Sequence, residues 1–423
     1  MFQNKKHRIA LISVDGDPAA EIGQEEAGGQ NVYVRQVGYS LARLGWQVDM
    51  FTRRSNPEQA AIVQHSLNCR TIRLKAGPAE FIGRDNLFDY LPEFIREFQQ
   101  FQQHQGFHYP LIHTNYWLSS WVGMELKKQQ PLIQLHTYHS LGAVKYRSIG
   151  DVPVIAAQRL AVEKACLETV DCVVATSPQE QKHMRVLVSS KGNIDMIPCG
   201  TDIEKFGQIP RCVAREKLGI APEAKIVLYV GRFDRRKGIE TLVRAVAKSN
   251  FRDNADLELV IGGGSRPGES DGIERDRIAN IVTELGLENC TTFTGRLDDT
   301  ILPLYYAAAD VCVVPSHYEP FGLVGIEAMA SKTPVVASNV GGLQFTVVPE
   351  VTGLLVPPKD EVAFAAAIDR ILANPAWRDQ LGETARQRTE IAFSWYSVAF
   401  RLTQLYTRLL IQTTSDTYPQ IAA

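Results

Sequence analysis

Short apolar runs alternate with longer amphipathic stretches along almost the whole chain. The run RIALISV precedes a glycine loop and then NVYVRQVGYSLARLGW, whose apolar residues recur at helical spacing. WQVDMFT is the next strand-like run, and PLIHTN, PLIQLHTY and DCVVATS come later, each ahead of a plausible helix. Strands that alternate with helices predict a parallel sheet with helices on both of its faces.

The alternation begins again after the turn-rich segment CGTDIEKFGQIP, with KIVLYVGRF, LELVIGGG, TTFTGR, DVCVVPS and TPVVAS. A chain of 423 residues is longer than one hydrophobic core usually holds. The pattern therefore predicts an α/β fold of two doubly wound domains, residues 1–207 and 208–392, with a helical segment at 393–423. Ligands of such sheets bind at the carboxyl ends of the strands, so we expect the active site in a cleft between the domains.

The composition is that of an ordinary globular protein. Apolar residues make up 45% of the chain and the formal net charge is −2, so no surface for nucleic acid is expected. The amino terminus has too short an apolar run for a signal peptide, and no stretch approaches the ~20 apolar residues of a membrane span. Seven cysteines without a CxxC pair indicate reduced thiols and a cytoplasmic location.

The loop GRFDRRKG, residues 231–238, joins a predicted strand to a predicted helix. Its Arg232 and Lys237 lie at the carboxyl end of the strand, where guanidinium and ammonium groups favour the binding of a diphosphate. The loop lacks the GxxxxGK[ST] spacing of a P-loop. A solvated cluster of charges is the alternative interpretation of the same residues.

The stretch EPFGLVGIE places Glu319 and Glu327 on either side of a glycine turn. A helix that begins near Leu323 directs its first free N–H groups, from about Gly322 onward, at an anion. Glu319 is suited to accept hydrogens from sugar hydroxyls, and Glu327 to accept both hydroxyls of a ribose. Together with the diphosphate loop, the stretch predicts a site for a nucleotide sugar. Taken alone, it also fits a loop acid followed by an acid on the solvated face of a helix.

Two loops of the first predicted domain offer further candidates. Gly28 and Gly29 in AGGQNVYV allow a ligand to approach the backbone at the start of a helix, although a glycine pair is a weak signal. His139 and Ser140 in HTYHSLGAVKYR follow another predicted strand, where a histidine serves either structure or catalysis.

No metal ion or other cofactor is predicted. Asp15 and Asp17 have the spacing of a DxD metal motif, but they belong to the first domain, away from the predicted nucleotide site. His113, His136 and His317 are too far apart in sequence to indicate a cluster of ligands. The chain also lacks a GxSxG elbow.

The motifs AGGQNVYV, NYWLS, HTYHSLGAVKY, GRFDRRKG and EPFGLVGIEAMA, in this order, resemble the retaining family 4 glycosyltransferases of GT-B fold. The resemblance extends from about residue 8 to residue 410. It is strongest to the sucrose-phosphate synthases, the sucrose synthases and the transferases that attach N-acetylglucosamine to inositol phosphate. It implies two Rossmann-like domains that face a central cleft, and a last helix that returns to the first domain, which suits residues 393–412.

The resemblance also implies roles for the matching residues. Glu319 would contact the hydroxyls of the donor sugar and Glu327 the ribose, while His139 would lie by the 6-hydroxyl and the reacting carbon. The residues implied in catalysis are His139, Arg232, Lys237 and Glu319. The donor-binding residues are Gly28, Gly29, Arg232, Lys237, Glu319, Phe321, Gly322, Leu323 and Glu327.

The acceptor site is implied in the same way. Inositol-phosphate enzymes hold the acceptor phosphate with four side chains, and the matching positions here are Arg84, Tyr116, Ser140 and Arg159. Gly29 and Gln30 complete this predicted site. Such a set favours a phosphorylated acceptor over free fructose. Gln179 stands where sucrose-phosphate synthases tend to have an arginine, so N-acetylglucosaminyl or other glycosyl transfer to inositol phosphate and sucrose synthase-like use of free fructose stay open as alternatives.

The implied reaction moves glucose from UDP-glucose or ADP-glucose to fructose 6-phosphate, giving sucrose 6-phosphate with retained configuration. A sucrose-phosphate phosphatase is the expected downstream partner, and no membrane partner is expected. An epimerase of similar fold would need a general base, for which His139 is the one convincing candidate. A nucleotide-sugar sensor would not need an acceptor site. The set of Arg84, Tyr116 and Arg159 therefore favours a transferase over both.

Overall fold

The structure, a computed structural model, describes residues 7–20, 28–147 and 152–417, without the side chains of 413–417. The described residues form two units, each with its own sheet. The first unit extends to Pro198 and takes in the segment from Trp395 onward, and the second unit is Cys199–Ser394.

The division between the units falls earlier than the boundary predicted at residue 207. The segment after Cys199 packs with the second unit because Arg386 donates hydrogen bonds to the carbonyls of Ile203 and Phe206, over 2.9 and 2.5 Å. The second unit likewise ends at Ser394, two residues after the predicted limit of 392.

The first unit contains an eight-stranded sheet. Its strands are β1 (Arg8–Ile12), β2 (Gln47–Arg53), β3 (Ile62–Ser66), β4 (Cys69–Leu74), β5 (Leu111–Asn115), β6 (Ile133–Thr137), β7 (Cys172–Ala175) and β8 (Ile194–Met196). They are arranged in the order β3-β4-β2-β1-β5-β6-β7-β8. Every neighbouring pair is parallel except β3 and β4, which are antiparallel at one edge.

Helices connect the strands of the first unit. They are α1 (Gly29–Arg43), α2 (Leu91–Gln105), α3 (Tyr116–Gln129), α4 (Gly142–Lys145), α5 (Ala156–Thr169) and α6 (Pro178–His183). Two 3-10 turns, Arg84–Asn86 and Phe88–Tyr90, precede α2, and the π-helical turn Met184–Val188 follows α6.

The second unit contains a six-stranded sheet that is parallel throughout. Its strands are β9 (Lys225–Val230), β10 (Leu257–Gly262), β11 (Thr291–Gly295), β12 (Val311–Val314), β13 (Val335–Ser338) and β14 (Gly353–Val356), in the order β11-β10-β9-β12-β13-β14. Its helices are α7 (Arg211–Leu218), α8 (Ile239–Ala247), α9 (Ser270–Glu284), α10 (Leu302–Ala308), α11 (Leu323–Ala330), α12 (Leu343–Thr346), α13 (Glu361–Leu372) and α14 (Pro375–Ala392). The 3-10 turns of this unit are Arg235–Lys237 and Glu288–Cys290.

The last helix, α15 (Trp395–Thr417), groups with the first unit. Trp46 donates its indole N–H to Thr403 Oγ1 over 3.1 Å. The hydroxyl of Tyr406 lies 2.6 Å from Nδ1 of His113, a residue of β5. The first contact attaches the helix to the residue before β2, and the second attaches it to the sheet of the first unit.

The predicted α/β class with two parallel, helix-covered sheets is confirmed. The central strands β5 and β6 are buried at every residue, because helices cover both faces of the sheet. Among the described residues, none of the helices combines the length and the apolar character that crossing a bilayer requires.

Candidate functional site

In the second unit, the order of the strands reverses between β9 and β12. A parallel sheet leaves a crevice at such a reversal, just beyond the carboxyl ends of the two strands. The loops that follow β9 and β12 carry the residues predicted to bind diphosphate and sugar, and the two loops touch. His317 donates its backbone N–H to the carbonyl of Arg236 over 2.7 Å.

The arginines of the loop after β9 differ in their partners. Arg236 is paired with Asp234, and Nε of Arg235 lies 3.5 Å from Oε2 of Glu274. Arg232 is exposed, and its side chain makes no hydrogen bond or ion pair within the described residues. Of these three, Arg232 is therefore the arginine that has no carboxylate partner among the described residues to compete with an anion.

The two loops are also joined by an ion pair. Lys237 Nζ lies 2.6 Å from Oε2 of Glu319, and the side chains are 27% and 13% exposed. The hydroxyl of Ser316 donates to the same oxygen over 3.2 Å. The residue predicted to bind the diphosphate, Lys237, is thus in direct contact with the residue predicted to bind the sugar, Glu319. Because an ammonium group has three donors, Lys237 can keep this pair and still donate to a phosphate.

Glycines shape the turn between Glu319 and α11. Gly322 caps the helix with a φ of 96°, and a Cβ there would lie 2.6 Å from Leu343 Cδ2. Gly341 packs on the preceding loop so closely that a Cβ would lie 2.0 Å from the carbonyl oxygen of Glu319. Helix α11 then begins at Leu323, as predicted. Its first N–H groups therefore lie next to the loop that carries the ion pair.

Glu327 lies one turn into α11, with its carboxylate partly buried. The hydroxyl of Tyr306 donates to Oε2 of Glu327 over 2.9 Å. Burial raises the pKa of Glu327 to about 7, while the Tyr306 hydrogen bond and the charge of Lys205 oppose that rise. A ligand that donates two hydroxyl hydrogens to this carboxylate would favour its ionised form.

In the first unit, the strand order reverses between β1 and β5, and α1 starts beyond the loop after β1. Gly28 is the N-cap and Gly29 the first residue of α1. Among the described residues, a Cβ at Gly28 would meet nothing within 4 Å, so these residues leave the space beside this backbone open to a ligand. Gln30 is buried instead, and its Nε2 donates to Ser13 Oγ over 3.0 Å and to Asp15 Oδ1 over 3.2 Å.

The two aspartates of the DGD motif form separate ion pairs. Oδ2 of Asp15 lies 2.9 Å from Nε of Arg84. Oδ2 of Asp17 lies 2.7 Å from Nε of Arg73. Each carboxylate therefore has a cationic partner of its own. In the part of the chain that the structure describes, no group of three or more His, Cys, Asp and Glu side chains is arranged to hold a metal ion.

Arg84 and Arg159 both lie against Tyr116, and Arg159 links it to the backbone of Ser140, the fourth residue predicted to hold the acceptor phosphate. The guanidinium carbons of Arg84 and Arg159 lie 5.4 and 5.0 Å from the centre of its ring. Arg159 donates from Nη1 to the Tyr116 hydroxyl over 3.0 Å and from Nη2 to the carbonyl of Ser140 over 2.5 Å. Tyr116 has a φ of 71° at the start of α3. A non-glycine residue keeps this strained conformation only where its surroundings enforce it, which is common at functional sites.

Arg159 and Arg84 differ in exposure. Arg159 is 1% exposed, and its Nε lies 2.7 Å from Oε1 of Glu163. Both oxygens of Glu163 also accept the backbone N–H of Gly142, over 3.0 and 2.9 Å. All three nitrogens of Arg159 thus donate within the protein, and the arginine orients Tyr116 and the backbone of Ser140. The side chain of Arg84 is 30% exposed and is accessible to a ligand.

His139 follows β6 with a φ of 59°, a second strained residue at the carboxyl edge of this sheet. Its Nε2 lies 2.9 Å from Oδ1 of Asn115, and its ring meets the ring of Tyr33 edge-on, with centroids 4.8 Å apart. Burial lowers the pKa of His139 to about 3. The imidazole is therefore neutral at physiological pH. Because an amide oxygen only accepts, Nε2 carries the proton and Nδ1 is an acceptor.

Gln179 lies in the first turn of α6, after the N-cap Ser177, whose hydroxyl accepts the N–H of Glu180 over 3.1 Å. Its Oε1 is buried without a hydrogen-bond partner among the described residues. A phosphate that reached this turn would meet a neutral amide and not a guanidinium.

Several residues that shape these sites were not predicted from the sequence. Asn115 is the last residue of β5 and the first of the motif NYWLS, and Ser316 lies between β12 and Glu319, so their positions were a usable signal. Gly341 begins a glycine pair shortly after a strand, which also marks a close backbone approach. Tyr306 gave no signal, because the segment LPLYYAAAD resembles an ordinary buried helix.

Comparisons with known proteins cover both units. Residues 211–388 match the family model of the glycosyl transferases group 1, and residues 28–200 match that of the glycosyl transferase 4-like domain. The D-inositol 3-phosphate glycosyltransferase of Corynebacterium aurimucosum is 36% identical over 94% of this chain and 95% of its own length. The enzyme of the same name from Kineococcus radiotolerans is 35% identical over 95% of each chain.

Solved structures are similar over nearly the same length. The sucrose-phosphate synthase from Thermosynechococcus elongatus is 53% identical, with a TM-score of 0.87 over 96% of this chain and 100% of that chain. Anabaena HepE, solved in complex with UDP and glucose, has a TM-score of 0.74 over 95% of this chain and 100% of its own. Because HepE is 19% identical to this chain, its similarity concerns the fold alone.

Proposed function

This chain belongs to the group 1 glycosyltransferases and has the GT-B fold, and we propose that it transfers glucose from UDP-glucose or ADP-glucose to fructose 6-phosphate, giving sucrose 6-phosphate. The observation that carries this proposal is the 53% identity, over 96% of the chain, with a sucrose-phosphate synthase. The relatives named for inositol phosphate reach 36%. The second unit has groups suited to the donor, and the first unit has groups suited to the phosphate of the acceptor.

The second unit supplies groups suited to the donor. Arg232 and Lys237 are the cations for the diphosphate, and the first N–H groups of α11 add donors that cost no reorganisation. Glu319 is suited to the hydroxyls of glucose and Glu327 to those of the ribose. The backbone at Phe321, between the two, completes the donor contacts.

The first unit supplies groups suited to the acceptor phosphate. Arg84 is the accessible cation beside Tyr116, and Arg159 holds the Tyr116 hydroxyl in place. The described residues leave the space beside Gly28 open, and the sugars are proposed to lie next to the backbone of Gly28 and Gly29. His139 is neutral, so its role is to accept a hydrogen bond from the donor's 6-hydroxyl through Nδ1 and not to supply charge.

The chemistry is a displacement on one face of the glucose ring. The anomeric hydroxyl of fructose 6-phosphate attacks C1 from the side on which the diphosphate leaves, so configuration is retained. The bond from C1 to the diphosphate oxygen breaks as the bond to the acceptor oxygen forms, and the acceptor proton passes to the leaving diphosphate. The largest contribution comes from donors aimed at the leaving group, each worth ~3–4 kcal/mol. These donors are Arg232, Lys237 and the start of α11.

We further propose that the reaction needs no metal ion, because these donors neutralise the charge that a divalent cation would otherwise neutralise. The product keeps the acceptor's phosphate, so a sucrose-phosphate phosphatase is the expected consumer. Each of the seven cysteines is a free thiol, as the proposed cytoplasmic location requires.

Transfer to inositol phosphate is the second candidate function, because the curated relatives carry that name and because Arg84 and Tyr116 would serve any acceptor phosphate. The decisive experiment is a steady-state comparison of fructose, fructose 6-phosphate and inositol phosphate, each with UDP-glucose and with ADP-glucose. Fructose 6-phosphate should give the highest kcat/KM. Preference for inositol phosphate would establish the second candidate, and equal use of free fructose would indicate a sucrose synthase-like enzyme.

The same assay separates a transferase from the remaining classes. With donor alone, a transferase gives only slow hydrolysis, whereas an epimerase turns over without any acceptor. A nucleotide-sugar sensor binds the donor and gives neither reaction.

A further inference from the structure

We propose that Tyr306 is a positioning residue for the nucleotide, which fixes the carboxylate of Glu327 for the ribose hydroxyls of the donor. The inference rests on the proposed function in one respect, namely that a nucleoside diphosphate is the ligand of the second unit. Tyr306 itself would not touch the ligand and would act through Glu327.

The contact that carries this inference joins two helices. Tyr306 belongs to α10 and Glu327 to α11, and the tyrosine hydroxyl donates to Oε2 of the carboxylate over 2.9 Å. Within the described residues, this is the one hydrogen bond that the Glu327 carboxylate receives. One carboxylate oxygen is therefore held by the protein, and the lone pairs that the hydroxyl does not use remain for a ligand.

The hydroxyl has little freedom to move. Tyr306 is 0% exposed, and its ring meets the ring of Phe206 edge-on, with centroids 5.6 Å apart. Its backbone carbonyl accepts the hydroxyl hydrogen of the buried Thr333 over 2.6 Å. Burial raises the pKa of Tyr306 well above its ordinary value, so the hydroxyl stays protonated and acts as a donor to the carboxylate.

A fixed hydroxyl matters because the last torsion of a glutamate side chain is soft. The carboxylate has two preferred orientations about this torsion, and around each of them a wide range of angles is populated. Two neighbouring ribose hydroxyls, by contrast, need acceptor oxygens in a defined plane. A hydrogen bond to one oxygen selects that plane before the ligand arrives. Such pre-organisation improves binding by reducing the ordering that the ligand must impose.

Other charged or titratable groups also act on Glu327. Lys205 forms an ion pair with Asp299, Nζ to Oδ1 over 2.8 Å. Lys205 favours the ionised carboxylate, while Asp299 opposes ionisation. Tyr306 is the contributor that forms a hydrogen bond with the carboxylate, so its removal should raise the pKa of Glu327 further.

The test measures nucleotide binding without an acceptor, by titration calorimetry with UDP and 2′-deoxy-UDP, or with the ADP pair if ADP binds more tightly. Tyr306→Phe should weaken UDP binding about tenfold, the upper end of the cost of ordering one side chain on binding. It should also reduce the preference for UDP over 2′-deoxy-UDP, because a misplaced carboxylate gains less from the 2′-hydroxyl. Tyr305→Phe is the matched control, since Tyr305 is the neighbour on α10 without a bond to Glu327, and it should change neither value.

Two further variants separate positioning from a merely structural role. In a Glu327→Gln background, Tyr306→Phe should add little to the loss of affinity. With Glu327 in place, the loss of UDP affinity caused by Tyr306→Phe should be larger at pH 6.5 than at pH 8.5, because removal of the tyrosine hydroxyl should raise the pKa of Glu327 and leave more of its carboxylate protonated at pH 6.5. Equal weakening of UDP and 2′-deoxy-UDP at both pH values would overturn the inference.

The outcome also distinguishes this inference from the proposed function. A wild-type protein that binds neither UDP nor ADP would refute both. A wild-type protein that binds UDP, with a Tyr306→Phe variant that binds it equally well, would refute the positioning role alone. Thermal unfolding of all variants shows whether a loss of affinity comes from a loss of folded protein.

Discussion

Lys237 Nζ lies 2.6 Å from Oε2 of Glu319, so two residues proposed to bind different parts of the donor are paired with each other. Lys237 ends the loop after β9, and Glu319 lies on the loop after β12. The ion pair therefore fixes the distance between the side chain proposed to bind phosphate and the side chain proposed to bind the sugar. Because the two groups are partly buried, each limits the positions that the other can take.

The first prediction concerns the cations of this site. Arg232→Ala and Lys237→Ala should each lower kcat at least about 100-fold, because each removes a donor aimed at the departing diphosphate. Steady-state kinetics with the best acceptor provide the measurement. Arg235→Ala is the control from the same loop, since Arg235 has a side chain that is 79% exposed and faces Glu274. Near-normal turnover in the first two variants would remove those residues from the site.

The extent to which the sequence predicts the fold depends on burial. The predicted strands β5 and β6 are buried throughout, and the apolar residues Leu111, Ile112, Ile133 and Leu135 mark them in the sequence. The edge strand β3, by contrast, alternates between exposed and half-exposed residues, and the segment was not predicted as a strand. Strand β8 has three residues, too few for a periodic pattern. Edge and very short strands depend on their neighbours, which a local pattern does not contain.

In the sites, likewise, a feature that depends on neighbouring residues could be predicted, whereas contacts between distant segments could not. The start of α11 at Leu323 could be predicted, because the glycine before it marks the turn locally. The pairing of Asp15 with Arg84 and that of Tyr306 with Glu327 could not, since both join segments distant in sequence. Such contacts are decided by the order of strands in the sheet.

The second prediction concerns the acceptor phosphate. Arg84→Gln should raise the KM for fructose 6-phosphate by roughly 10- to 150-fold, the loss of charge-assisted hydrogen bonds worth ~1.5–3 kcal/mol. The KM for the donor should change little. Arg84→Lys is the matched variant, because it keeps the charge and should retain much of the affinity. An equal rise in both Michaelis constants would contradict a specific role for Arg84 in acceptor binding.

The third prediction separates Arg159 from Arg84. Arg159→Leu leaves the buried carboxylate of Glu163 without its counter-ion, and breaking a buried pair in this way typically costs about 3–5 kcal/mol of stability. Urea unfolding should reveal this loss. The double variant Arg159→Leu with Glu163→Leu should recover part of it, since no unpaired charge remains. A single variant as stable as the wild type would show that the pair has no such role.

The fourth prediction concerns metal ions. Activity should persist in excess EDTA, because Arg232, Lys237 and the helix start are proposed to neutralise the diphosphate. The measurement is the initial rate before and after chelation, and then with added magnesium. Complete loss that magnesium restores would contradict the proposal and direct attention to Asp15 and Asp17.

The fifth prediction concerns stability against acid. His113 is 0% exposed and lies between Tyr406 and Thr137, at 2.6 and 2.8 Å from their hydroxyl oxygens. Burial lowers the pKa of His113 to about 3, whereas an unfolded histidine has a pKa of about 6.5. Between these values the unfolded chain binds one proton more than the folded chain. The free energy of unfolding therefore falls as the pH drops below about 6.5, and this residue should account for about 2 kcal/mol at pH 5.

Urea unfolding of the wild type and His113→Gln at pH 7.5 and pH 5.0 tests this prediction. Glutamine does not titrate, so the loss of unfolding free energy between the two pH values should be about 2 kcal/mol smaller in the variant. His104→Gln on α2 serves as the control, because His104 is exposed and should leave the pH dependence unchanged. Since His113 attaches α15 to β5 through Tyr406, the variant should also be less stable than the wild type at pH 7.5. The same pH dependence in His113→Gln and wild type would show that His113 does not stay neutral in the folded protein.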